Sequence, residues 1–191
     1  LPRKTVQFHW SNNCFKDFEE FLSTLNHKKR KNIRQERRKL TEQGFEFQRL
    51  TGTEVSEELW SFFYDCYQGT YIAHNSMPYL NRDFFLDLNQ RMPEKLILIL
   101  AKHEGRPIAT ALNLLGKNRL YGRYWGCLNY VPGLHFEVCY YSPIDWALQQ
   151  KIKQFDPGAG GNHKQRRGFM AHSSTSLHRW YDKRMDNLIR P

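Results

Sequence analysis

The sequence has no long apolar run, since its longest wholly apolar segment, residues 96–101, contains only six residues. A membrane-spanning helix needs about 20 such residues, so we expect no transmembrane segment. Residues 1–5 have no apolar core behind their basic residues, so we expect no secretory leader there. Position 1 is not Met, which leads us to expect a processed chain or a piece of a longer one.

Cysteine is scarce and its spacing excludes two common kinds of site. The chain has four cysteines, Cys14, Cys66, Cys127 and Cys139, and no two are arranged as C-x-x-C. A zinc ribbon and a redox dithiol are therefore not indicated, and we expect reduced thiols in the core of a cytoplasmic protein. Phosphate-binding P-loops, the dinucleotide fingerprint and the G-x-S-x-G nucleophile elbow are also missing. The sequence thus predicts no metal and no tightly bound cofactor.

Positive charge is abundant and is concentrated in one segment. The chain carries 29 lysines and arginines against 19 acids. Residues 28–39 hold eight of these cations and one acid, Glu36. Such a density favours an anionic partner, which could be a phosphorylated precursor or carrier or the backbone of a tRNA. Few aromatics are interleaved, which argues against recognition of a single strand by base stacking. A solvated helix face is the alternative interpretation.

Hydrophobic periodicity indicates alternating helices and strands. We expect a helical region over residues 15–44, further helices near 54–66, 81–92 and 134–152, and strands at 45–50, 95–102, 107–115, 119–127 and 169–173. Pro143 should kink the last long helix or mark its restart. This order predicts an α+β protein with a mixed, mostly antiparallel sheet flanked by helices. The predicted domains are an N-terminal segment with the basic helix (1–44), a main domain (45–180) and a tail (181–191).

The strand at residues 119–127 and the helix after it carry the main candidates for chemistry. Strand alternation predicts that Tyr121, Arg123, Trp125 and Cys127 share one face, and two mid-strand glycines indicate a bulge or a close approach of another backbone or ligand. An acid, Glu137, falls in an apolar stretch of the helix, where desolvation would raise its pKa and suit it to accept a proton from an amine. A structural ion pair between Arg123 and Glu137 is the equally weighted alternative.

A glycine-rich basic loop at residues 158–168 follows that helix. Exposed backbone amides together with His163, Lys164 and Arg167 can hold phosphate, although a flexible solvated turn would show the same composition. His135 and Cys139 are four residues apart on the helix. Two ligands do not make a metal site, so we do not expect one there.

These segments resemble one bacterial protein family. The resemblance rests on residues 6–10, the basic stretch 28–38, the Gly-Arg-Tyr-Trp-Gly block at 122–126, His-Phe-Glu at 135–137 and the loop 158–169. The sequence is similar to predicted N-acyltransferases of peptidoglycan biosynthesis or recognition, the Fem-like branch of the GNAT superfamily. The resemblance covers most of the chain and implies a GNAT-like acyltransferase fold.

The resemblance also implies an activity and a set of site residues. Fem-type relatives transfer amino acids from aminoacyl-tRNA to the peptide of a cell-wall precursor, and they are about twice as long, so an N-terminal GNAT-like half would be missing here. The implied function is N-acyl or aminoacyl transfer to an amine; a non-catalytic module that recognises a precursor or tRNA is the alternative. Candidate catalytic residues are Glu137, Arg123 and His135. Candidate substrate or phosphate ligands are Lys28, Lys29, Arg30, Arg34, Tyr121, Trp125, His163, Lys164, Arg167 and His178.

Two departures from the family pattern bear on the reaction. The family's loop usually reads Gly-x-Gln-Gly-Glu-His-Lys, whereas Gly160 and Asn162 stand here in place of Gln and Glu. If the loop acid of the family is catalytic, this chain lacks it. The acyl-CoA turn of ordinary GNAT proteins is also missing between Cys127 and Leu134. The acyl donor therefore stays open between aminoacyl-tRNA and acyl-CoA, with acetyl-CoA doubtful.

Overall fold

A computed structural model describes residues 2–189, and within that range seven strands form one mixed sheet. The strands are β1 (Pro2–Ser11), β2 (Phe45–Thr51), β3 (Leu96–His103), β4 (Arg106–Leu115), β5 (Arg119–Cys127), β6 (Gln154–Asp156) and β7 (Met170–Leu177). Their order in the sheet is β2-β3-β4-β5-β6-β1-β7. All neighbours are antiparallel except β5 and β6, which are parallel. The predicted α+β class and GNAT-like fold are confirmed.

The helices cover both faces of the sheet. They are α1 (Phe18–Ser23), α2 (His27–Glu42), α3 (Glu57–Ala73), α4 (Arg82–Arg91), α5 (Leu134–Phe136), α6 (Ser142–Gln149) and α7 (Lys183–Ile189). Short 3-10 turns lie at Gly52–Glu54 and Pro93–Lys95, and a longer 3-10 segment spans Asn162–Arg167. None of the helices in the described range is long and apolar enough to cross a membrane.

The central strand β3 shows how the two layers are built. Its side chains Ile97 and Ile99 belong to a hydrophobic cluster with α1, α2, α5 and α6, whereas Leu96 and Leu98 belong to a second cluster with α3 and α4. Successive side chains of a strand point to opposite faces, so a continuous apolar run is typical of a strand that is buried on both sides. The sheet is therefore the middle layer of three.

The predicted helical region at 15–44 divides into two helices. Asn26 has an extended backbone, and its side chain accepts a hydrogen bond from the amide of Lys29, which makes it the N-cap of α2. Asn is among the preferred residues at this position. Ile33 and Leu40 form the thin buried seam of α2, as their spacing predicts.

The predicted long helix at 134–152 contains a π-helical turn at Glu137–Tyr141, between α5 and α6. Pro143 has no amide hydrogen for the usual helical bond, and a wider turn accommodates that loss. The π turn therefore lies where the sequence predicts a kink or a restart. We call the whole element α5–α6.

Strands β1 and β6 were not predicted. Trp10 pairs with Phe155 of β6, and Pro2 to His9 pair with β7, so β1 lies between the strands on either side of the glycine-rich loop. Residues of the predicted segment 1–44 thus join the same sheet as the predicted main domain. The domain boundaries stay a prediction. Helix α7 lies in the predicted tail, and Leu1, Arg190 and Pro191 lie outside the described residues.

Candidate active site

A cleft opens where the two parallel strands separate. Strands β5 and β6 pair over Arg119–Tyr121 and Gln154–Asp156, and β5 then continues to Cys127, where no strand of the described residues pairs with it on that side. The chain leaves β6 through Pro157, and Asp156 Oδ1 accepts a hydrogen bond from the amide of Gly158 at 3.0 Å. The gap has a volume of about 420 Å³. It is lined by Tyr67, Thr70, Tyr71, Ala111, Leu112, Asn113, Gly122, Arg123, Tyr124, Trp125, His135, Cys139, Tyr140, Pro157, Ala159, Gly160, Gly161, His163 and Lys164.

A β-bulge places Arg123 at this cleft. Asn113 pairs with Gly122 and Leu112 pairs with Tyr124, which leaves Arg123 as the extra residue of β5. The predicted common face of Tyr121, Arg123, Trp125 and Cys127 is therefore wrong, because a bulge interrupts the alternation of side chains. Bulges commonly redirect a side chain beside a site. Arg123 is exposed, and its side chain has no hydrogen-bond or ion-pair partner among the described residues.

The second mid-strand glycine of β5, Gly126, is needed for a different reason. A Cβ on Gly126 would lie 2.0 Å from the carbonyl oxygen of Cys66 in α3, so only glycine lets the helix backbone approach the strand. The same helix supplies Thr70, whose Oγ1 donates to the carbonyl of Trp125 at 2.9 Å. The predicted close approach is confirmed, and the approaching group is a helix.

Aromatic rings form two walls of the cleft. On the α3 side, Tyr67 makes edge contacts with Tyr71 and Tyr124 at centroid distances of 4.9 and 5.0 Å. On the α5–α6 side, the ring of His135 meets Trp125 edge to face at 4.9 Å. Such walls can hold an apolar or planar group and exclude water.

His135 is a neutral imidazole in this setting. Burial lowers its pKa to about 4, and the neighbouring His163, Arg167 and Lys164 side chains act in the same direction. A histidine with so low a pKa does not carry a proton at neutral pH. His135 therefore supplies a polar, uncharged wall to the cleft.

His163 and Tyr140 form a polar pair at the cleft. Their Oη and Nε2 atoms are 2.9 Å apart. Burial raises the pKa of Tyr140, so its hydroxyl stays protonated at neutral pH. Partial burial of the ring, Arg167 and Lys164 lower the pKa of His163, and the rest of this side chain is exposed on the cleft rim. The imidazole is thus a neutral group that can accept a proton.

Gly161 makes room for that imidazole. A Cβ at this position would lie 2.2 Å from Cε1 and 2.6 Å from Nδ1 of His163. Gly161 also has a φ of +84°, a backbone conformation that residues with a Cβ rarely adopt. The glycine-rich loop therefore shapes the position of His163 as well as the opening of the cleft.

Lys164 holds the loop together. Its side chain is 2% exposed, and Nζ donates to the carbonyls of Gly158 and Ala159 at 2.7 and 3.1 Å. Burial lowers its pKa, opposed by the charge of Asp156. Because two of its three donors are used within the loop, its predicted role as a phosphate ligand stays a prediction, and its visible role is to close the loop.

Glu137 lies in a separate buried network and does not line the cleft. Its carboxylate is 1% exposed and accepts hydrogen bonds from Arg37 Nε and Nη2 at 3.0 and 3.1 Å and from Ser142 Oγ at 2.9 Å. Asp145 accepts from both Arg37 and Arg49. Burial raises the pKa of Glu137, and the Arg37 charge and the Ser142 hydroxyl oppose that rise.

The predicted ion pair between Glu137 and Arg123 is therefore wrong. Glu137, the first residue of the π turn, is bonded to Arg37 of α2, whereas Arg123 projects from the bulge on the cleft side. The structure brings Arg123, His135, Trp125, His163 and Lys164 together at the cleft. It does not bring Glu137 to them.

Arg167 also has partners within the chain. Its guanidinium lies 3.3 Å from the ring centroid of Phe136, Nη2 donates to Glu36 Oε1 at 2.8 Å, and Nη1 donates to the carbonyl of His163 at 3.2 Å. A buried arginine with these contacts orients its neighbours. Arg167 therefore connects α2, α5 and the 3-10 segment.

The four cations predicted on α2 lie outside the cleft. Lys29 Nζ donates to the carbonyl of Gln165, Arg30 donates to the carbonyls of Ser23 and Leu25, and Arg34 pairs with Glu19. Lys28 is exposed, with no side-chain partner among the described residues. Tyr121 faces away from the cleft before the bulge, and His178 follows the end of β7, where its ring is hydrogen-bonded to Ser176.

Sequence reasoning missed several cleft residues. Tyr67 and Thr70 lie beyond the predicted helix at 54–66, and Tyr140 lies within the predicted helix at 134–152. Their place at the cleft depends on how α3 and α5–α6 cross the sheet. Asn113 was the one detectable signal, because a polar residue in an apolar strand is unusual; it is 1% exposed and its amide donates to the carbonyl of Ile97. Among residues 2–189, no three His, Cys, Asp or Glu side chains are grouped to hold a metal ion.

Comparisons with known proteins agree with this architecture. A sequence profile of the FemAB-like family, described as peptidoglycan biosynthesis/recognition, matches residues 1–191. Among curated proteins, no sequence matches significantly.

Solved structures with the same fold have little sequence identity to the chain. FemX superposes with a TM-score of 0.67 at 11% identity, over 96% of this chain and 63% of FemX. L-PGS from Bacillus licheniformis superposes with a TM-score of 0.57 at 14% identity, over 83% of this chain and 48% of L-PGS. The chain thus spans about half to three fifths of the length of these two structures.

Proposed function

The chain belongs to the FemAB-like family of peptidoglycan biosynthesis and recognition proteins, and from this premise we propose that it is an N-acyltransferase. It would move an acyl or aminoacyl group from an activated carrier to an amine of a peptidoglycan precursor. The carrying observation is the cleft between β5 and β6, where a sheet strand presents backbone to an open, aromatic-walled space. The fold shared with FemX supports this assignment of the cleft.

The unpaired edge of β5 suits an acyl carbonyl. Beyond Tyr121, no strand of the described residues pairs with β5 on the β6 side. Pro157 lies close to Gly122, and the peptide groups after Gly122 that point there lack a sheet partner. Backbone amides fixed in a strand can donate to a substrate carbonyl and to the oxyanion that develops when the carbonyl is attacked. The aromatic walls would hold the acyl group against this edge.

The amine nucleophile has to be uncharged when it attacks. The cleft carries the positive charges of Arg123 and Lys164, and positive surroundings lower the pKa of an ammonium group. The nitrogen then forms a bond to the acyl carbon while the bond from that carbon to the carrier oxygen or sulfur breaks. In this proposal, His163 takes the proton that the nitrogen loses, and that proton passes to the leaving group.

His163 replaces Glu137 as the proposed base. Glu137 is enclosed by Arg37 and Ser142, whereas the His163 imidazole stands on the cleft rim with Tyr140 beside it. Arg123 is proposed to bind an anionic group of the substrate, because its side chain is exposed at the cleft. His135 is proposed to orient the substrate as a neutral wall.

Donor and acceptor are proposed only by class. Aminoacyl-tRNA and acyl-CoA both supply an activated carbonyl, and both occur in the cytoplasm, where we propose that the reaction takes place. Because the chain spans 63% of FemX, we also propose that an additional GNAT-like half completes the working enzyme.

The proposal is tested by blocking the cleft in the full-length protein. Ala159 is exposed on the cleft, and Ala159→Trp would fill part of the 420 Å³. Transfer of labelled acyl groups from aminoacyl-tRNA and from acyl-CoA to a nucleotide-linked peptide with a free amine is measured. We expect kcat/KM to fall about a hundredfold with Ala159→Trp.

Ala171→Trp, an exposed position on β7, is the matched control and should retain normal transfer. His163→Gln should lower kcat about a hundredfold with little change in KM. Equal activity of the Ala159→Trp and Ala171→Trp variants would remove the cleft from the reaction.

A binding module without catalysis is the second candidate. It is favoured by the cleft's composition, since none of the described residues that line it is Asp or Glu, and by Asn162 in the loop. This candidate predicts that the nucleotide-linked peptide binds, that Ala159→Trp weakens binding, and that no donor yields transfer.

A further inference from the structure

A second concave surface lies on the other side of the 3-10 segment Asn162–Arg167. His163 and Lys164 of this segment line the cleft, whereas Arg166 and Arg167 line a groove of about 450 Å³ against α2. The groove is lined by Asn26, Lys28, Lys29, Asn32, Ile33, Glu36, Tyr141, Arg166 and Arg167. It is therefore a separate site that shares one short helix with the cleft.

The groove is strongly cationic. Lys28, Lys29, Arg166 and Arg167 contribute positive charge, and Glu36 is the one acid among the described lining residues. The carboxylate of Glu36 is already occupied, since Oε1 accepts from Arg167 at 2.8 Å and Oε2 accepts from the hydroxyl of Tyr141. The acid therefore cancels the charge of Arg167 and leaves the other three cations uncompensated.

The two walls of the groove offer donors that nothing in the chain uses. The side chains of Lys28, Asn32 and Arg166 have no hydrogen-bond or ion-pair partner among residues 2–189. Lys29 Nζ donates to the carbonyl of Gln165, which ties α2 to the 3-10 segment and sets the width of the groove. Lys28 and Asn32 are four residues apart, so they lie on one face of α2, opposite Arg166.

The floor of the groove strengthens these charges. Ile33 and Tyr141 are 2% and 1% exposed, so the cations stand beside a protein interior of low dielectric constant. Charges interact more strongly there than in open water. An oxyanion seated on this floor would face cations from two directions.

The opposite flank of α2 lacks these features. Its surface depression is lined by residues of α2 alone, and three of its cations are already paired: Arg30 with backbone carbonyls, Arg34 with Glu19 and Arg38 with Glu42. Lys31 on that flank is exposed, with no side-chain partner among the described residues. The two flanks of one helix therefore provide an internal comparison.

We propose that the groove between α2 and the 3-10 segment binds a phosphate group, as a phosphate monoester or diphosphate, between Lys28 and Arg166. Arginine can present two parallel N–H groups to phosphate oxygens, and lysine adds a point charge from the other wall. The binding requires no acyl transfer, so this site stands or falls independently of the cleft chemistry.

The site is tested by calorimetric titration of the full chain with inorganic pyrophosphate at about 0.1 M salt. We expect saturable binding, and we expect Lys28→Gln and Arg166→Gln each to raise the dissociation constant about five- to tenfold. Lys31→Gln removes the same charge from the same helix on its other flank, and it should change the constant less than about twofold.

Two further measurements locate and identify the ligand. Shifts of the Tyr141 ring signals on titration, followed by NMR, should appear with pyrophosphate and be absent in the double variant of Lys28 and Arg166.

Equal weakening by Lys31→Gln would overturn the site, because it would show a diffuse cationic surface. Binding of a single-stranded RNA without any binding of pyrophosphate or a nucleoside diphosphate would overturn it as well, in favour of a nucleic-acid surface. The circular dichroism spectra of all variants should match, since every substituted residue is exposed.

Discussion

One helix separates two polar regions that behave in opposite ways. On the α2 side of α5–α6, Glu137 is enclosed in a network with Arg37, Ser142 and Asp145, and its hydrogen-bonding capacity is used. On the β5 side, His135 and His163 face an open cleft, with pKa values lowered by burial and by neighbouring cations.

The difference distinguishes residues that stabilise the fold from residues that can take part in a reaction. A buried charge whose partners are all inside the protein fixes the position of elements, here α2 against α5–α6. Polar groups that border empty space and lack fixed partners are the ones that a substrate can engage. Four predictions test this contrast.

The largest effect is expected in the buried network around Glu137. Glu137→Gln leaves the guanidinium of Arg37 without its buried counter-charge, and we expect the free energy of unfolding to fall by about 3 kcal/mol. Asp145→Asn, at a more exposed site that keeps Glu137 in place, should cost about 1 kcal/mol. Urea denaturation measures both. If folded Glu137→Gln protein loses transfer or ligand binding without a loss of stability, Glu137 belongs to the reaction and not to the support of the fold.

The second prediction concerns pH and the cleft. The pKa of His135 is about 4 in the folded protein and about 6.5 when unfolded. Between these values the unfolded chain binds a proton that the folded protein does not, so stability is complete above pH 6.5 and declines as the pH falls toward 4. This contribution amounts to about 2 to 3 kcal/mol.

Unfolding at pH 7 and pH 4.5 in the wild type and in His135→Phe isolates this contribution, because Glu137 is present in both proteins. The variant should lose less stability on acidification. An identical loss in both proteins would show that His135 is not buried as described.

The third prediction tests whether the glycine-rich loop positions His163. Gly160 and Gly161 both have positive φ, but a Cβ at Gly160 meets nothing within 4 Å, whereas a Cβ at Gly161 meets the imidazole. Alanine at either site should cost about 1 kcal/mol in backbone strain. Only Gly161→Ala should also shift the His163 ring signals in NMR spectra and reduce ligand binding at the cleft. Matching spectra of the two variants would show that Gly161 does not determine the position of the His163 ring.

The smallest effect compares two adjacent tyrosines. The Tyr140 hydroxyl bonds to His163 at the open cleft, whereas the Tyr141 hydroxyl bonds to the Glu36 carboxylate. Hydrogen bonds to charged groups contribute more than neutral ones, so Tyr140→Phe should cost about 0.5 kcal/mol and Tyr141→Phe about 1 kcal/mol. Thermal unfolding measures the difference, and a reversed order would show that the cleft pair is the more rigid one.

The sequence predicted the layers of the fold because its apolar patterns are local. The strands β3, β4 and β5, the buried positions Ile33 and Leu40 of α2 and an irregularity at Pro143 were each predicted from patterns within one segment, although the π turn itself was not. Strand β1 was missed although Phe8 and Trp10 alternate with polar neighbours, because a single short alternating run has no local partner to confirm it.

The candidate site could be predicted only in part. Burial of Glu137 follows from its apolar neighbours, but its partner Arg37 is 100 residues away in the chain, and no periodicity specifies such a contact. The bulge at Arg123 arises from the register between β4 and β5, which the sequence of β5 alone does not contain. Local patterns thus located the elements around the cleft, and long-range register determined which side chains enter it.

The position of β1 has a consequence for how the molecule folds. Its partners in β7 lie near the opposite end of the chain, so that Pro2 pairs with Leu177. Closing so large a loop is entropically slow, and contacts of this range lower folding rates. We therefore expect the amides of β1 to gain protection from hydrogen exchange last during refolding, after the β3–β4–β5 meander. On the ribosome, β1 would wait until β6 and β7 have been made before it joins the sheet.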